Sequence, residues 1–148
     1  YKNFDLTMFW QGVQGVDIIS DLKKETDLWS GLNIGFLNKG KRVLDAWSPA
    51  NPGSDIPALA RNDSNNEKRV STYYVENGSF LKLRNLQVGY NVPKAWAEKI
   101  RMERLRFYLS AQNLLTIKSK DFTGVDPENV NYGYPIPLNI TFGVNVSF

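Results

Sequence analysis

The residue types that most often carry enzyme chemistry are absent from this sequence or scattered along it. The chain of 148 residues contains no Cys and no His. These absences exclude disulfide scaffolds, zinc fingers, thiol catalysis and Ser-His-Asp hydrolysis. The Gly31–Gly35 stretch lacks the Lys-Ser/Thr pair that a phosphate-binding loop requires. The carboxylates are scattered, and no pair of them can be placed from the sequence alone at the separation that glycoside hydrolysis needs. Since no catalytic group of residues is found, we expect neither an enzyme nor a cofactor.

Three carboxylates lie close together near the end of the chain, at Asp121, Asp126 and Glu128. Clustered carboxylates bind calcium in some proteins, but the spacing here is not that of an EF-hand loop. The Asp126-Pro127 pair is better explained as turn chemistry. We therefore predict no metal site.

Aromatic side chains are frequent, at 13% of the residues. Trp29, Trp47, Tyr73 and Tyr74 lie in or beside one long polar segment. Such rings stack on sugars or pack against a protein partner, and they also fill the interior of a folded loop. Both readings stay open, and these four residues are the predicted substrate or partner contacts.

The charge balance does not indicate a nucleic-acid partner. The net charge is +3, with 22% charged and 42% hydrophobic residues. The basic cluster of Lys94, Lys99, Arg101 and Arg104 is interleaved with Glu98 and Glu103, which is typical of a solvated turn. No apolar run approaches the length that a membrane helix needs.

The elements that position these residues are predicted to be β-strands. From Ile136 to Phe148 every even position is apolar and every odd position is small or polar, which is the period-2 pattern of a strand. Similar alternation predicts an all-β chain with antiparallel strands near 3–14, 79–92, 104–117 and 136–148. The parity of the second strand changes near Arg84–Asn85, which predicts either a β-bulge there or a strand that rises out of the apolar layer.

Short and long connections alternate between these strands. The short connection, from Pro93 to Glu103, has Trp96 and Ile100 four residues apart and room for one helical turn. The long connections, near 18–75 and 118–135, are rich in turn-forming residues and predicted to be largely irregular. Alternating loop lengths and half-polar strands are typical of outer-membrane barrels. A soluble β-sandwich that binds carbohydrate is the alternative, in which a second sheet covers the apolar face.

Several segments resemble the SusC/RagA-type TonB-linked outer-membrane transporters. Residues 77–93, NGSFLKLRNLQVGYNVP, resemble the segment before the last hairpin of these proteins, and residues 105–114, LRFYLSAQNL, resemble their next strand. The GVDPE of residues 124–128 is similar to their last loop, and ITFGVNVSF at 140–148 is similar to their final strand. The WSPANP of residues 47–52 fits their loop pattern, so the matches run in order over residues 29–148.

The resemblance implies a 22-stranded transmembrane barrel with an internal plug, of which this chain would form the last four strands. It also implies localisation to the outer membrane, import of glycans or peptides, energy from TonB acting on a part not present here, and a SusD-like lipoprotein that caps the barrel. The long connections would then be extracellular. The sequence does not name the substrate.

A barrel gives each face of the strands a different surrounding. The apolar residues Phe107, Leu109, Phe142, Val144 and Val146 are predicted to face lipid. The residues predicted to face the lumen are Asn85, Gln87, Arg106, Tyr108, Ser110, Gln112, Thr141 and Asn145. Phe148 is predicted to be an assembly signal at the end of the final strand. We expect the chain to be a piece of a longer protein.

Overall fold

The computed structural model describes residues 1–28, 38–63, 66–130 and 134–148. The predicted contact residue Trp29 lies outside the described residues. The chain divides into two compact units. The strand unit consists of Tyr1–Gln14, Ser79–Lys118 and Pro135–Phe148, and the loop unit consists of Gly15–Gly78 and Ser119–Tyr134.

The described strands form a four-stranded sheet and a two-stranded sheet. In chain order they are β1 (Phe4–Val13), β2 (Asp17–Ile19), β3 (Val75–Asn77), β4 (Phe80–Asn91), β5 (Arg104–Lys118) and β6 (Asn139–Ser147). The larger sheet has the order β1-β4-β5-β6, and every neighbouring pair in it is antiparallel. β6 begins later than the alternation predicts, because Pro137 has no backbone N–H to donate to a ladder.

The register of the larger sheet separates apolar from polar side chains. Directly paired residues share a face, so the pairs can be read as rows across the strands. The apolar face is built from the rows Phe4–Tyr90–Phe107–Val144, Leu6–Val88–Leu109–Phe142 and Met8–Leu86–Ala111–Ile140. The alternation in the sequence is therefore reproduced across four strands.

A double irregularity interrupts the sheet at Arg84 and Asn113. The pairing of β1 with β4 shifts between Phe9 and Trp10, and that of β4 with β5 shifts between Leu83 and Asn85. Asn113 has φ 55°, a left-handed conformation that bulges accommodate. Arg84 donates from Nε to the Gln11 Oε1 at 2.9 Å and thereby bridges to β1. The bulge predicted near Arg84–Asn85 is confirmed.

The β4–β5 connection is the short helical turn that the sequence allows. It holds α2 (Lys94–Ala97) and a 3-10 turn (Glu98–Ile100). The turn ends at Arg101, whose φ of 59° is left-handed.

The loop unit contains more regular structure than the sequence predicts. β2 and β3 pair at the base of the long connection, and α1 (Asp21–Asp27) follows β2. Two 3-10 turns, Lys41–Asp45 and Thr72–Tyr74, lie further along. None of the helices in the described part of the chain is long and apolar enough to cross a membrane.

Candidate functional site

The polar face of the larger sheet brings the predicted lumen-facing residues together. The pairing forms the rows Asn85–Gln112–Asn139, Gln87–Ser110–Thr141 and Asn91–Arg106–Asn145. All eight predicted residues therefore share one face, since Tyr108 pairs with Gly143 in a row between the last two. Ser110 also donates its hydroxyl to the Asn85 Oδ1 at 3.3 Å. This face offers hydrogen-bonding groups and the ion pair of Asp5 with Arg106.

That ion pair joins Asp5 on β1 to Arg106 on β5 across the intervening strand. The Arg106 Nη2 lies 2.6 Å from the Asp5 Oδ1, and its Nε donates to the Asp5 Oδ2 at 3.2 Å. Asn91 adds a donor to the same Oδ2 at 3.1 Å. Gly89 on β4 lies beneath the pair, and a Cβ there would come within 2.5 Å of both partners. A side chain at position 89 would therefore displace the ion pair from this position.

Tyr108 lies over a second glycine of the polar face. A Cβ at Gly143 would overlap the Tyr108 ring. A ring that covers a glycine on the neighbouring strand shields the exposed backbone there. On the polar face, the ion pair joins β1 to β5, and the Tyr108 ring of β5 lies over β6.

The loop unit is organised around a buried carboxylate on α1. Asp27 has 0% exposure. It accepts a two-pronged hydrogen bond from Arg42, with Nε at 2.7 Å from its Oδ1, and a bond from the Tyr73 hydroxyl at 2.6 Å. Thr26 donates to its Oδ1 at 3.0 Å. A buried charge with this set of donors is compensated, so Asp27 ties α1 to two distant segments.

Glu76 on β3 links the two long connections in the same way. It is 3% exposed and accepts bonds from the Thr123 backbone N–H at 3.1 Å and hydroxyl at 2.6 Å. The Lys23 Nζ lies 3.2 Å from its Oε1 and also donates to the Tyr73 carbonyl at 2.8 Å. The segments 15–78 and 119–134 are therefore joined by a charged interior.

Both predicted tyrosines belong to this interior. Tyr74 is 1% exposed and donates its hydroxyl to the Glu67 carbonyl at 2.5 Å. Burial raises the pKa of Tyr74 to about 12, and the nearby carboxylates act in the same direction. Burial and the bond to Asp27 raise the pKa of Tyr73 as well. Tyr74 is therefore packed inside the loop unit, whereas Tyr73 is partly buried, and a contact with a substrate or partner stays a prediction for both.

The remaining predicted residues lie at the surface. Trp47 is exposed and follows the 3-10 turn at Lys41–Asp45, so a contact with a partner stays a prediction for it. Phe148 is exposed directly after β6, and its role in assembly also stays a prediction.

The carboxylates of the last long connection form a turn. The Asp126 Oδ1 accepts the Glu128 backbone N–H at 2.9 Å, and the Asp126 carbonyl accepts the Asn129 N–H at 3.0 Å. This is the turn chemistry predicted for Asp126-Pro127. Within the described residues no group of three or more potential metal ligands is found.

Five of the residues that organise these clusters are not singled out by the sequence. They are Asp5, Asp27, Arg42, Glu76 and Thr123. The period-2 pattern places Asp5 on the polar face, but the four residues of the loop unit follow no local pattern. Their partners are distant in the chain, as for Glu76 and Thr123 at a separation of 47 residues.

Comparison with known proteins gives a consistent result. No protein-family model matches the chain. Two curated relatives from Formosa agariphila, TonB-dependent receptors P3 and P26, are 35% and 34% identical over 100% of the chain. The chain spans 15% and 16% of their lengths. These relatives are receptors and not enzymes.

Solved structures show the same similarity. The structure of the RagAB peptide transporter matches 99% of the chain at 32% identity with a TM-score of 0.78, and 16% of the matched chain is covered. The RagAB peptide importer in its 'open-open' state matches 100% of the chain at 31% identity and a TM-score of 0.79, again over 16% of its own length. The chain therefore belongs to the TonB-dependent receptors and shares its fold with part of the RagAB structures.

Proposed function

We propose that this chain forms the last four strands of a 22-stranded outer-membrane barrel that imports nutrients with energy from TonB. The observation that carries the proposal is the division of the four-stranded sheet into one apolar and one polar face. Large apolar side chains of the first face are exposed, as in Ile140 at 64% and Phe142 at 67%. A surface of this kind needs an apolar surrounding, which lipid supplies.

The dimensions of the sheet support the proposal. β5 has 15 residues. At about 3.3 Å per residue and a tilt of about 40°, it would rise roughly 38 Å along the membrane normal. The apolar band of an outer-membrane barrel is about 25 Å tall, so the strand is long enough to cross it.

The alternative of a soluble carbohydrate-binding sandwich is supported less well. In a sandwich the apolar rows would pack against a second sheet about 10 Å away. The apolar rows are exposed instead, and the other sheet of the described residues has two strands of three residues each.

The loop unit is proposed to be extracellular and to meet a SusD-like lipoprotein, with Trp47 as a contact. The solved structures that match are named as peptide transporters and importers, which favours peptides as the substrate. Glycans remain the second candidate, because the resemblance to SusC/RagA-type transporters includes both. On the polar face, the ion pair over Gly89 and the Tyr108 ring over Gly143 are groups that a plug or a substrate could contact.

The test places an arginine on either face at the same depth in the complete transporter. Ile140 pairs with Ala111 near the middle of the apolar rows, and the adjacent Thr141 pairs with Ser110 on the polar face. Ile140→Arg should cost about 2–4 kcal/mol of barrel stability and lower the outer-membrane level, because the charge meets lipid near mid-bilayer. Thr141→Arg is the matched control and should cost little.

The measurement is the amount of heat-modifiable folded protein in purified outer membranes. Equal levels of the two variants would overturn the lipid-facing assignment. Equal levels together with a chain that folds in water without detergent would favour the sandwich.

A further inference from the structure

The short turn between β4 and β5 presents two apolar side chains to solvent. Trp96 in α2 is 64% exposed, and Ile100 in the following 3-10 turn is 54% exposed. The two positions are four residues apart in one short connection, and both side chains are exposed. Nothing in the described part of the chain covers them.

The turn is fixed to the sheet by backbone hydrogen bonds. The Ala97 side chain is buried, and the Met102 N–H donates to the Ala97 carbonyl at 3.0 Å. The Glu103 N–H donates to the Ser147 carbonyl on β6 at 2.8 Å. These bonds place Trp96 and Ile100 just beyond the end of the sheet, next to the end of β6.

The segment that holds the pair is basic. Its cations Lys94, Lys99, Arg101 and Arg104 outnumber its acids Glu98 and Glu103, which leaves a net charge of +2. The Lys94 Nζ lies 3.8 Å from the Glu98 Oε1, but both side chains are exposed, so this pair is weak and leaves Lys94 available to another anion.

The aromatic residues of the apolar face are concentrated at the same end of the sheet. The row closest to the turn with rings on three strands is Phe4–Tyr90–Phe107, and the Phe4 and Tyr90 ring centroids are 4.8 Å apart. Rings at the end of an apolar band mark the level of the lipid headgroups in membrane barrels. The Trp96–Ile100 turn follows this row by a few residues.

We propose that the turn from Lys94 to Arg104 is a membrane-surface anchor, in which Trp96 and Ile100 enter the boundary of the periplasmic leaflet and the basic side chains bind phospholipid phosphates. This rests on the proposed function, because it requires the apolar face to meet lipid. Trp is favoured at such a boundary, and each basic side chain near an anionic surface strengthens the attachment. A protein partner fits less well, because two apolar side chains offer far less than the roughly 1,000 Å² of a specific interface.

The test uses spin labels in the complete transporter, reconstituted in nanodiscs of phosphatidylcholine with or without phosphatidylglycerol. The chain has no Cys, so single-cysteine variants need no change within it. Labels at Trp96→Cys and Ile100→Cys should be more accessible to oxygen than to a water-soluble nickel chelate. A label at Glu98→Cys on the same turn should show the reverse, and Ile140→Cys reports on the apolar face.

The outcomes separate the two proposals. Nickel-accessible labels at 96 and 100 with an oxygen-accessible label at 140 would overturn the anchor and leave the lipid-facing sheet in place. Nickel access at all three positions would overturn the proposed function itself. Labels at 96 and 100 shielded from both probes would overturn the anchor in favour of a covering protein.

The proposed contacts between the basic side chains and lipid phosphates are tested separately. In the Trp96→Cys background, phosphatidylglycerol should shift the oxygen-to-nickel accessibility ratio toward greater depth. The double change Lys94→Gln and Lys99→Gln should abolish that shift, and Lys118→Gln with Lys120→Gln, at the opposite end of β5, is the matched control. A shift that persists without Lys94 and Lys99 would overturn the phosphate contacts.

Discussion

The strand unit and the loop unit find hydrogen-bond partners for their backbone N–H and C=O groups in different ways. In the larger sheet, ladders between neighbouring strands pair the backbone groups, and the side chains are left to face outward. In the loop unit, side chains pair the backbone, as when Tyr74 donates to the Glu67 carbonyl and Asp63 accepts the Glu67 N–H. The irregular chain of the loop unit therefore uses polar side chains to pair backbone groups that the sheet pairs through its ladders.

The buried residues show the same contrast. Large apolar side chains of the strand unit are exposed, whereas the loop unit buries Ser20, Lys24, Glu25, Asp27, Glu76 and Asp126. Lys82 on β4 is the buried charge that the described part of the strand unit adds to this set. Under the proposed function the sheet meets lipid and the loop unit meets water. Removal of the Asp27 charge should therefore damage the loop unit, and a steric clash on the polar face should damage the sheet.

The largest effect is expected from Asp27→Ala. The substitution leaves Arg42 and the Tyr73 hydroxyl without their acceptor inside the loop unit. Breaking one partner of a fully buried pair costs about 3–5 kcal/mol, and the lower end applies here because Arg42 is partly exposed and can be hydrated. Hydrogen exchange followed by mass spectrometry of the complete transporter should show faster exchange in peptides of residues 15–28 and 38–63, with unchanged exchange in β4 and β5.

Asp45→Ala is the matched control for that experiment. The Asp45 side chain is exposed, and its backbone carbonyl accepts the bonds from Asn51 and Ser54, so the substitution leaves these bonds in place. Similar exchange in the Asp27 and Asp45 variants would show that the charged interior does not hold the loop unit together.

A smaller effect is expected from Gly143→Ala on the polar face. The new Cβ overlaps the Tyr108 ring, which must swing away from the β5–β6 pair. Overpacking of this kind costs about 1–3 kcal/mol. The urea midpoint of the folded barrel, followed by gel mobility, should fall.

Two comparisons sharpen this result. Gly53→Ala in the loop unit should leave the midpoint unchanged, because nothing lies within 4 Å of its added Cβ. Gly143→Ala should also cost less when Tyr108 is already Ser, since the overlapping ring is gone. Additive costs for the two changes would argue against the contact.

The sequence predicts the strand unit well because side-chain alternation is a local property. The even positions of residues 136–148 specify one face of β6 without knowledge of its neighbour, and the parity change at Arg84–Asn85 locates the bulge. The same pattern places Asp5 opposite Phe4 and Leu6. It does not identify Arg106 as the partner of Asp5, because the two are 101 residues apart and any strand order would satisfy the alternation.

The loop unit is not predicted because its bonds follow no period. Asp27 meets Arg42 and Tyr73 at separations of 15 and 46 residues. Each of these residues is also common at the surface of proteins, so residue type alone does not indicate burial. The turn at Asp126-Pro127 is the exception, since its hydrogen bonds lie within a few residues and the residue types specify them.

The smallest effect at neutral pH is expected from the buried tyrosines, because it appears only in alkali. The pKa of Tyr74 is raised from 10.0 to about 12, and that of Tyr73 is raised as well. Below pH 10 both the folded and the unfolded loop unit keep these protons, so stability is unaffected. Between pH 10 and about 12 the unfolded chain releases the Tyr74 proton while the folded chain retains it, so stability of the loop unit falls as pH rises.

Two measurements check that the loop unit loses stability as the pH rises above about 10. The difference in tyrosinate absorbance between the protein and its Tyr74→Phe variant should titrate well above the value of about 10 for a free tyrosine. Hydrogen exchange, corrected for its intrinsic pH dependence, should rise in the loop unit before it rises in β4 and β5. A Tyr74 titration near 10 would contradict its place in the charged interior. Simultaneous opening of both units would contradict the contrast between them, because the sheet has no buried tyrosine to release a proton within its described residues.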